Sequence, residues 1–379
     1  MNSEIRLRER KPRVAIITRS VDRSGSSGSG HHMREMIRHL IPEAQDLDIT
    51  LAHYQHSDDP IYSLASELLL PLNPLRAASR LNSANFDVVH FSPLTVFAPI
   101  NGLRARKCAT IHSAEPMFLP EVYSWVKRVH SRYVIPHYAR KLDALLTVSE
   151  TSKAWFADNY RIDREKIRVT YNSCSPRYRV LDANEQRVES SIHIPGPYIL
   201  HVSRFSERKN PWTMLKAFKI LVDSAALSDL ESLSLVLAGK DWDTPLVKEY
   251  ALRLGIDKRI MTPGFVSEET VIRLLNGAIV FWFPSLSEGF GMPNIEAMRC
   301  GCPVITSAVF AIPEIVGSAA ILLSDPMNDE QLARETWDLL LDPKKRNFLI
   351  DAGLSWSARY SWEDSARTMA NVFRGLVSL

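Results

Sequence analysis

Two glutamates, Glu288 and Glu296, stand with seven residues between them in the stretch SLSEGFGMPNIEAMRCGCPVIT, residues 285–306. The apolar run AIVFWF before it (278–283) reads as a buried strand. Residues 285–292 then form a loop at the strand's carboxyl end, and IEAMRC is a helix. Pro293 suits the first helical position, where a missing N–H costs nothing. Gly289 and Gly291 let the backbone come close to a ligand, and loop amides at a helix start make an anion site. A carboxylate accepts hydrogen bonds from two neighbouring hydroxyls, so acids at both ends of this loop suit a polyol such as a sugar or a ribose. The blander alternative is a glycine-rich turn in which the helix dipole merely favours Glu296.

A second cluster, HVSRFSERKNPWTMLKAF (201–218), follows another strand-like run. Arg204 and Lys209 fall on a strand-to-helix loop that Asn210 and Pro211 close. Two cations beside a helix start would hold a diphosphate, arginine as a fork and lysine as a point charge; otherwise they are basic residues on a solvated loop. A third, RSGSSGSGHHMREM, puts Gly25, Gly28 and Gly30 between the first strand and the first helix. Gly28-Ser29-Gly30 begins a dinucleotide fingerprint, but Met33 stands where the third glycine belongs, and no acidic residue ends the second strand cleanly. The loop is better read as admitting a phosphate or sugar. A fourth, TIHSAEP, ends a strand on His112, which either faces a ligand or is a satisfied core histidine.

The elements that must position these groups alternate. RVAIIT (13–18), FDVVHF (86–91), KCATIH (107–112), DALLTVS (143–149) and KIRVTYN (166–172) read as buried parallel strands, with amphipathic stretches such as HHMREMIRHLI and WVKRVHSRYVIPHYARKL between them. Residues 182–197, polar and ending in Pro-Gly-Pro, read as a linker. The alternation then restarts with YILHVS, LSLVLAG, RIMTPG, AIVFWF, PVITS and AAILLS. Strand-helix alternation, twice over, predicts an α/β protein of two doubly wound, Rossmann-like domains facing across a cleft. The expected boundaries are 1–185 and 186–360, with a last helix over 361–379. Ligands of such sheets lie beyond the carboxyl ends of the strands.

Bulk properties exclude several classes. The 379 residues suit about two domains, and no apolar run approaches the roughly 18 residues of a membrane helix. The N-terminus has no cleavage signal and runs into the first strand, so a cytoplasmic protein is expected, at most peripheral on a membrane's inner face. Cys108, Cys174, Cys300 and Cys302 lack metal or redox spacing and read as free buried thiols. Residues 1–190 hold 27 Lys and Arg against 21 Asp and Glu, a balance of +6; the remainder hold 19 against 22, or −3. The basic first half could meet an anionic membrane or an anionic lipid-linked substrate, or be scattered surface charge.

Taken together, these motifs resemble the retaining "group 1" glycosyltransferases, family four, which have the GT-B fold. The resemblance runs through nearly the whole chain, and it implies an acceptor-side domain over 1–185, a nucleotide-sugar-binding domain over 186–360 and a C-terminal helix over 361–379 that returns to the first domain. Its most specific part is SEGFGMPNIEAMRCGCPVITS, which looks like the family's E-x7-E segment; HVSRFSERKN looks like its diphosphate-binding segment. TIHSAEP, LLTVSETSK, VTYNSCSP and SARYSW fit in order. The resemblance implies that Glu288 contacts the donor sugar and stabilises the developing oxocarbenium, and that Glu296 holds the ribose diol. Arg204 and Lys209 would bind and neutralise the diphosphate, helped by backbone amides of Gly289, Phe290 and Gly291. His112 would touch the donor sugar, and Gly28 and Gly30 would line the cleft. Three positions depart from the pattern. SGSSGSG lacks the paired glycines, Ser113 replaces an aspartate and Ser173 replaces a glycine, all in the first domain.

The function expected is transfer of a hexose, from GDP-mannose or a UDP-hexose, to an acceptor hydroxyl on a lipid-linked or cell-surface glycan, with retention. No carboxylate offers itself for the far face of the ring, as double displacement needs. A front-face route, in which the departing phosphate takes the acceptor proton, needs only charge stabilisation. No metal or other cofactor and no nucleic acid is expected. The two Asp-x-Asp pairs, Asp46–Asp48 and Asp241–Asp243, sit naturally in loops. The alternatives are a non-hydrolysing sugar-nucleotide epimerase, an NAD-dependent dehydrogenase weakened by Met33, and a catalytically silent nucleotide-sugar-binding protein.

Overall fold

The computed structural model describes residues 10–21, 28–92, 94, 98–182, 184–185, 192, 194–224 and 232–378. Gly25 and half of the linker at 182–197 lie outside them. The chain forms two compact units: the first gathers Met1–Ala114, Trp125–Asn172 and Trp362–Leu379, and the second Glu115–Ser124 and Ser173–Ser361.

The first unit holds seven parallel strands: β1 (Arg13–Ile17), β2 (Asp48–His53), β3 (Ser66–Leu69), β4 (Val88–Phe91), β5 (Arg106–Thr110), β6 (Ala144–Thr147) and β7 (Ile167–Val169), ordered β3-β2-β1-β4-β5-β6-β7. Strands β4 and β6 are buried at every position, as expected where helices cover both faces of a parallel sheet. The last helix, Trp362–Val377, buries Trp362, Ala366, Met369, Ala370 and Phe373 at helical spacing, in the same core as Val14, Ile16, Met33 and Met36. Glu363 and Asp364 in its first turn suit the positive end of the dipole. Strand β3 has no sequence signature. Its four residues, SELL, are exposed or half-buried, so main-chain pairing with β2 defines it, and its shortness and charge suit a sheet edge.

The second unit holds six parallel strands: β8 (Tyr198–Val202), β9 (Ser234–Ala238), β10 (Ile260–Gly264), β11 (Val280–Phe283), β12 (Val304–Ser307) and β13 (Ile321–Leu323), ordered β10-β9-β8-β11-β12-β13. Trp242, Trp282 and Phe218 are fully buried in its core. Each indole N–H is satisfied, Trp282 by Thr336 Oγ1 at 2.9 Å and Trp242 by the Ser203 carbonyl at 2.7 Å. The strand order reverses between β8 and β11. Connections from neighbouring strands diverge at such a point and leave a crevice beyond their carboxyl ends. The loops leaving β8 and β11 are those that carry Lys209 and Glu288. No described helix is long and apolar enough to cross a membrane.

Candidate active site

Strand β11 is buried at every position and ends at Phe283. The loop beyond it is stitched to the β8 loop. The Leu286 amide donates to the Arg208 carbonyl at 2.8 Å, and Arg208 Nη1 donates to the Ser287 carbonyl at 2.8 Å. Asn210 Nδ2 donates to the carbonyls of Pro284 (3.2 Å) and Pro326 (2.5 Å). Asn210 holds a left-handed φ of 59° before Pro211, which starts its helix; asparagine tolerates that geometry better than most residues. On the other side Gly291 caps the helix Met292–Arg299 with φ 86°, and a Cβ there would lie 2.9 Å from Asn294 Nδ2. Only glycine fits without strain.

These loops bring Lys209 and Glu288 together. Glu288 Oε1 accepts from Lys209 Nζ and Arg208 Nη1, both at 2.5 Å, and from Ser285 Oγ at 2.7 Å. Glu288 and Lys209 are both buried, and the ammonium also lies 4.4 Å from the Phe283 ring centroid. Burial opposes the Glu288 charge, but the Arg208 and Lys209 charges and the hydrogen bonds from Lys209 and Ser285 overrule it, holding the carboxyl down at about 2. Arg208 lies 3.6 Å from Glu115, whose other oxygen accepts from Tyr123 at 2.7 Å. No described residue donates to Glu288 Oε2. One carboxylate oxygen is therefore saturated by fixed donors, and the other is left to accept a hydroxyl.

Eight positions on, Glu296 meets the opposite environment. It is half-buried on the helix, and no described residue donates to it. Burial, and then the charge of Glu268, push its carboxyl up to about 7. Adjacent hydroxyls are the donors such a carboxylate lacks. Gly289 and Phe290 are buried between the two acids, with the Phe290 ring edge-on to Tyr360 at 5.4 Å.

The remaining expected residues are placed elsewhere. Arg204 does not join the Lys209 cluster; its side chain is 77% exposed and pairs with Asp241 at 2.7 Å. In the first unit His112 follows β5 and meets His32 ring edge to face at 4.6 Å. Burial, and then His90, push His112 down to about 4. Its Nε2 is buried and has no partner among the described residues, as is true of His32 Nε2. Gly28 opens the helix Gly28–Glu43 in open space, and Gly30 is buried on it. Sequence reasoning missed Arg208, Ser285, Glu115 and Tyr123. Arg208 adjoins Lys209, and Ser285 heads the glutamate loop, so both were one step away; Glu115 and Tyr123 join only through the fold. Three of the four carboxylates in the Asp-x-Asp pairs are ion-paired: Asp46 with Arg374, Asp48 with Arg13 and Asp241 with Arg204.

The family model for glycosyl transferases group 1 matches residues 182–356, and that for glycosyltransferase family 4 matches residues 6–177. The chain belongs to the group 1 glycosyltransferases. The first match contains Lys209, Glu288 and Glu296, and the second contains His112. This glycosyltransferase is 28% identical over 278 residues to O-antigen chain mannosyltransferase B of Escherichia coli, covering 71% of this chain and 70% of that protein. It is 24% identical over 294 residues to the serotype-specific mannosyltransferase WbdA of Escherichia coli, covering 76% of this chain but only 36% of that protein. Among solved structures, the sucrose-phosphate synthase of Thermosynechococcus elongatus superposes with a TM-score of 0.76 at 18% identity, covering 97% of this chain and 99% of that one. The two Rossmann-like units are thus those of a GT-B glycosyltransferase.

Proposed function

We propose that this glycosyltransferase transfers a hexose from a nucleoside diphosphate sugar to an acceptor hydroxyl with retention of anomeric configuration and without a metal. Mannose from GDP-mannose is the first choice, because the curated relatives described above are mannosyltransferases. The acceptor proposed is a lipid-linked or cell-surface glycan, with the basic first half in contact with an anionic membrane. The observation that carries the reading is the Lys209–Glu288–Arg208 cluster, largely buried and fixed at the switch point between β8 and β11.

In the proposed step the bond from the anomeric carbon to the phosphate oxygen breaks, and its electron pair stays on the diphosphate. The acceptor oxygen bonds to the same face of the carbon, and its proton passes to the departing phosphate. Lys209 and Arg208 hold the charge that develops on that phosphate, and because they are already oriented the step needs little reorganisation. Glu288 is a poor nucleophile, since its carboxyl is held at about 2 and one oxygen carries three donors; that favours the front-face route over a covalent intermediate. Its free oxygen would accept a sugar hydroxyl, and Glu296 would accept the ribose diol. Arg204 would reach a phosphate by giving up one exposed ion pair, worth about 1 kcal/mol or less. Roles for His112, Gly28 and Gly30 rest on the family resemblance; His112→Ala is expected to lower turnover.

Incubation with GDP-, UDP- and ADP-sugars, with and without a glycan acceptor, tests the reading by nucleotide release. Release from GDP-mannose that acceptor accelerates and a chelator leaves intact is the expected result. Isomerised donor without acceptor would identify an epimerase, and binding without release a silent binding protein.

A further inference from the structure

One helix of the first unit wears its apolar stripe on the outside. Residues 125–139 run as α-helix over Trp125–Val129, a π-helical turn over His130–Val134 and α-helix again over Ile135–Ala139. The inward residues are small or central: Ser131, Ile135, Pro136 and Ala139 are buried. The outward residues are large, with Trp125 71% exposed, Tyr133 62%, Val126 56% and Val129 42%. Trp125, Val129 and Tyr133 follow one another at four-residue spacing and so share a face. Arg128 and Arg132 repeat at the same spacing alongside, both exposed.

The charge along this segment has one sign. Residues 122–142 contain Lys127, Arg128, Arg132, Arg140 and Lys141 and no aspartate or glutamate. The helix is also anchored: the Tyr160 hydroxyl, from the helix Glu150–Tyr160, donates to the Ser131 carbonyl at 2.8 Å. The stripe is therefore held outward by its own unit. Tryptophan and tyrosine are the side chains that settle at the boundary between headgroups and acyl chains. A helix pairing them with arginine and lysine lies in that boundary on anionic lipid.

We propose that residues 125–133 are the surface by which this protein lies on an anionic lipid membrane, with Trp125, Val129 and Tyr133 inserted at headgroup depth and Arg128 and Arg132 on lipid phosphates. This deepens the membrane contact proposed above by naming the element. It does not depend on the transfer chemistry, and separate readouts test the two.

The test is flotation of the full chain with vesicles of phosphatidylglycerol and phosphatidylcholine in equal parts, and with phosphatidylcholine alone. Binding is expected to the first and not the second, with loss in high salt. Trp125→Ser with Tyr133→Ser, and separately Arg128→Glu with Arg132→Glu, should each lower vesicle affinity roughly tenfold or more. All four positions are exposed, so thermal midpoints should stay near that of the parent, as should the midpoint shift given by GDP-mannose. The proposal is overturned if the anionic vesicles do not bind, if phosphatidylcholine alone binds as well, or if both variants bind like the parent. It is equally overturned if these residues prove to mediate self-association in place of lipid binding. Failure of every nucleotide sugar to shift the parent's midpoint would sink the transferase reading and leave the flotation result standing.

Discussion

Glu288 and Glu296 are the same residue type in one short motif, and the fold drives them in opposite directions. Glu288 sits where two loops meet, with Lys209, Arg208 and Ser285 donating to a single oxygen, and stays ionised down to about 2. Glu296 sits on the helix that follows, with burial and Glu268 against it, and titrates at about 7. The difference separates structure from readiness. The first carboxylate already has its protein partners and holds the cations in place; the second lacks donors until a ligand brings them.

That contrast can be broken most severely at Glu288. Glu288→Ala leaves the buried Lys209 without its counter-charge, which typically costs about 3–5 kcal/mol, and leaves Arg208 only Glu115; turnover should be abolished along with the stability. Thermal unfolding with and without donor measures both. With the parent, the Glu288 contribution has a defined pH window. Its folded value lies below the ordinary 4.5, so the stability it gives is present above about 4.5 and lost as pH falls toward 2.

Glu296 should show the opposite sign. Its folded value of about 7 lies above the ordinary 4.5, so it makes the protein less stable as pH rises from about 4.5 to 7, and no further above that. Glu296→Gln should therefore raise the midpoint at pH 8 by roughly 2–6 °C and leave it unchanged below pH 4. The same variant should bind nucleotide sugar about 10–100-fold more weakly at pH 8, because hydrogen bonds to a charged acceptor are lost. In the parent, donor affinity should rise as pH increases toward 7 and then level off. Flat affinity from pH 5 to 8 would remove Glu296 from the ribose.

The smallest effects distinguish the two arginines. Arg208→Ala empties a half-buried position and takes one of three donors from the buried Glu288, which should cost a few kcal/mol, whereas Arg204→Ala loses one exposed ion pair and should change stability by about 0.5 kcal/mol or less. If Arg204→Ala nonetheless slows turnover, Arg204 meets the diphosphate only when donor is bound.

Much of this was legible in the sequence, for identifiable reasons. Strands such as VFWF at 280–283 are apolar throughout because both faces are covered, and the glycines and Pro293 mark a loop-to-helix turn that the structure forms. Lys209 and Glu288 could be paired in advance because both follow strands that a doubly wound sheet sets side by side. Arg208 escaped notice because nothing local tells which of two neighbouring cations turns inward; Arg204 matched the family spacing, and Arg208 made the buried contact. The His32, His90 and His112 group was invisible because its members come from a helix, a strand and a strand end far apart in the chain. The stretch WVKRVHSRYVIPHYARKL was correctly amphipathic, but periodicity alone does not say which face turns inward. Ser131, Ile135, Pro136 and Ala139 took the interior, and Trp125, Val126, Val129 and Tyr133 stayed out.

The central claim is that a buried lysine, held by Glu288, neutralises a departing diphosphate. The most direct test is the turnover of Lys209→Ala with saturating GDP-mannose and acceptor, after donor-induced stabilisation has shown the variant folded. The account predicts a fall of roughly 100-fold or more, the usual cost of losing one preorganised charge-stabilising donor. Turnover within a few-fold of the parent would contradict it.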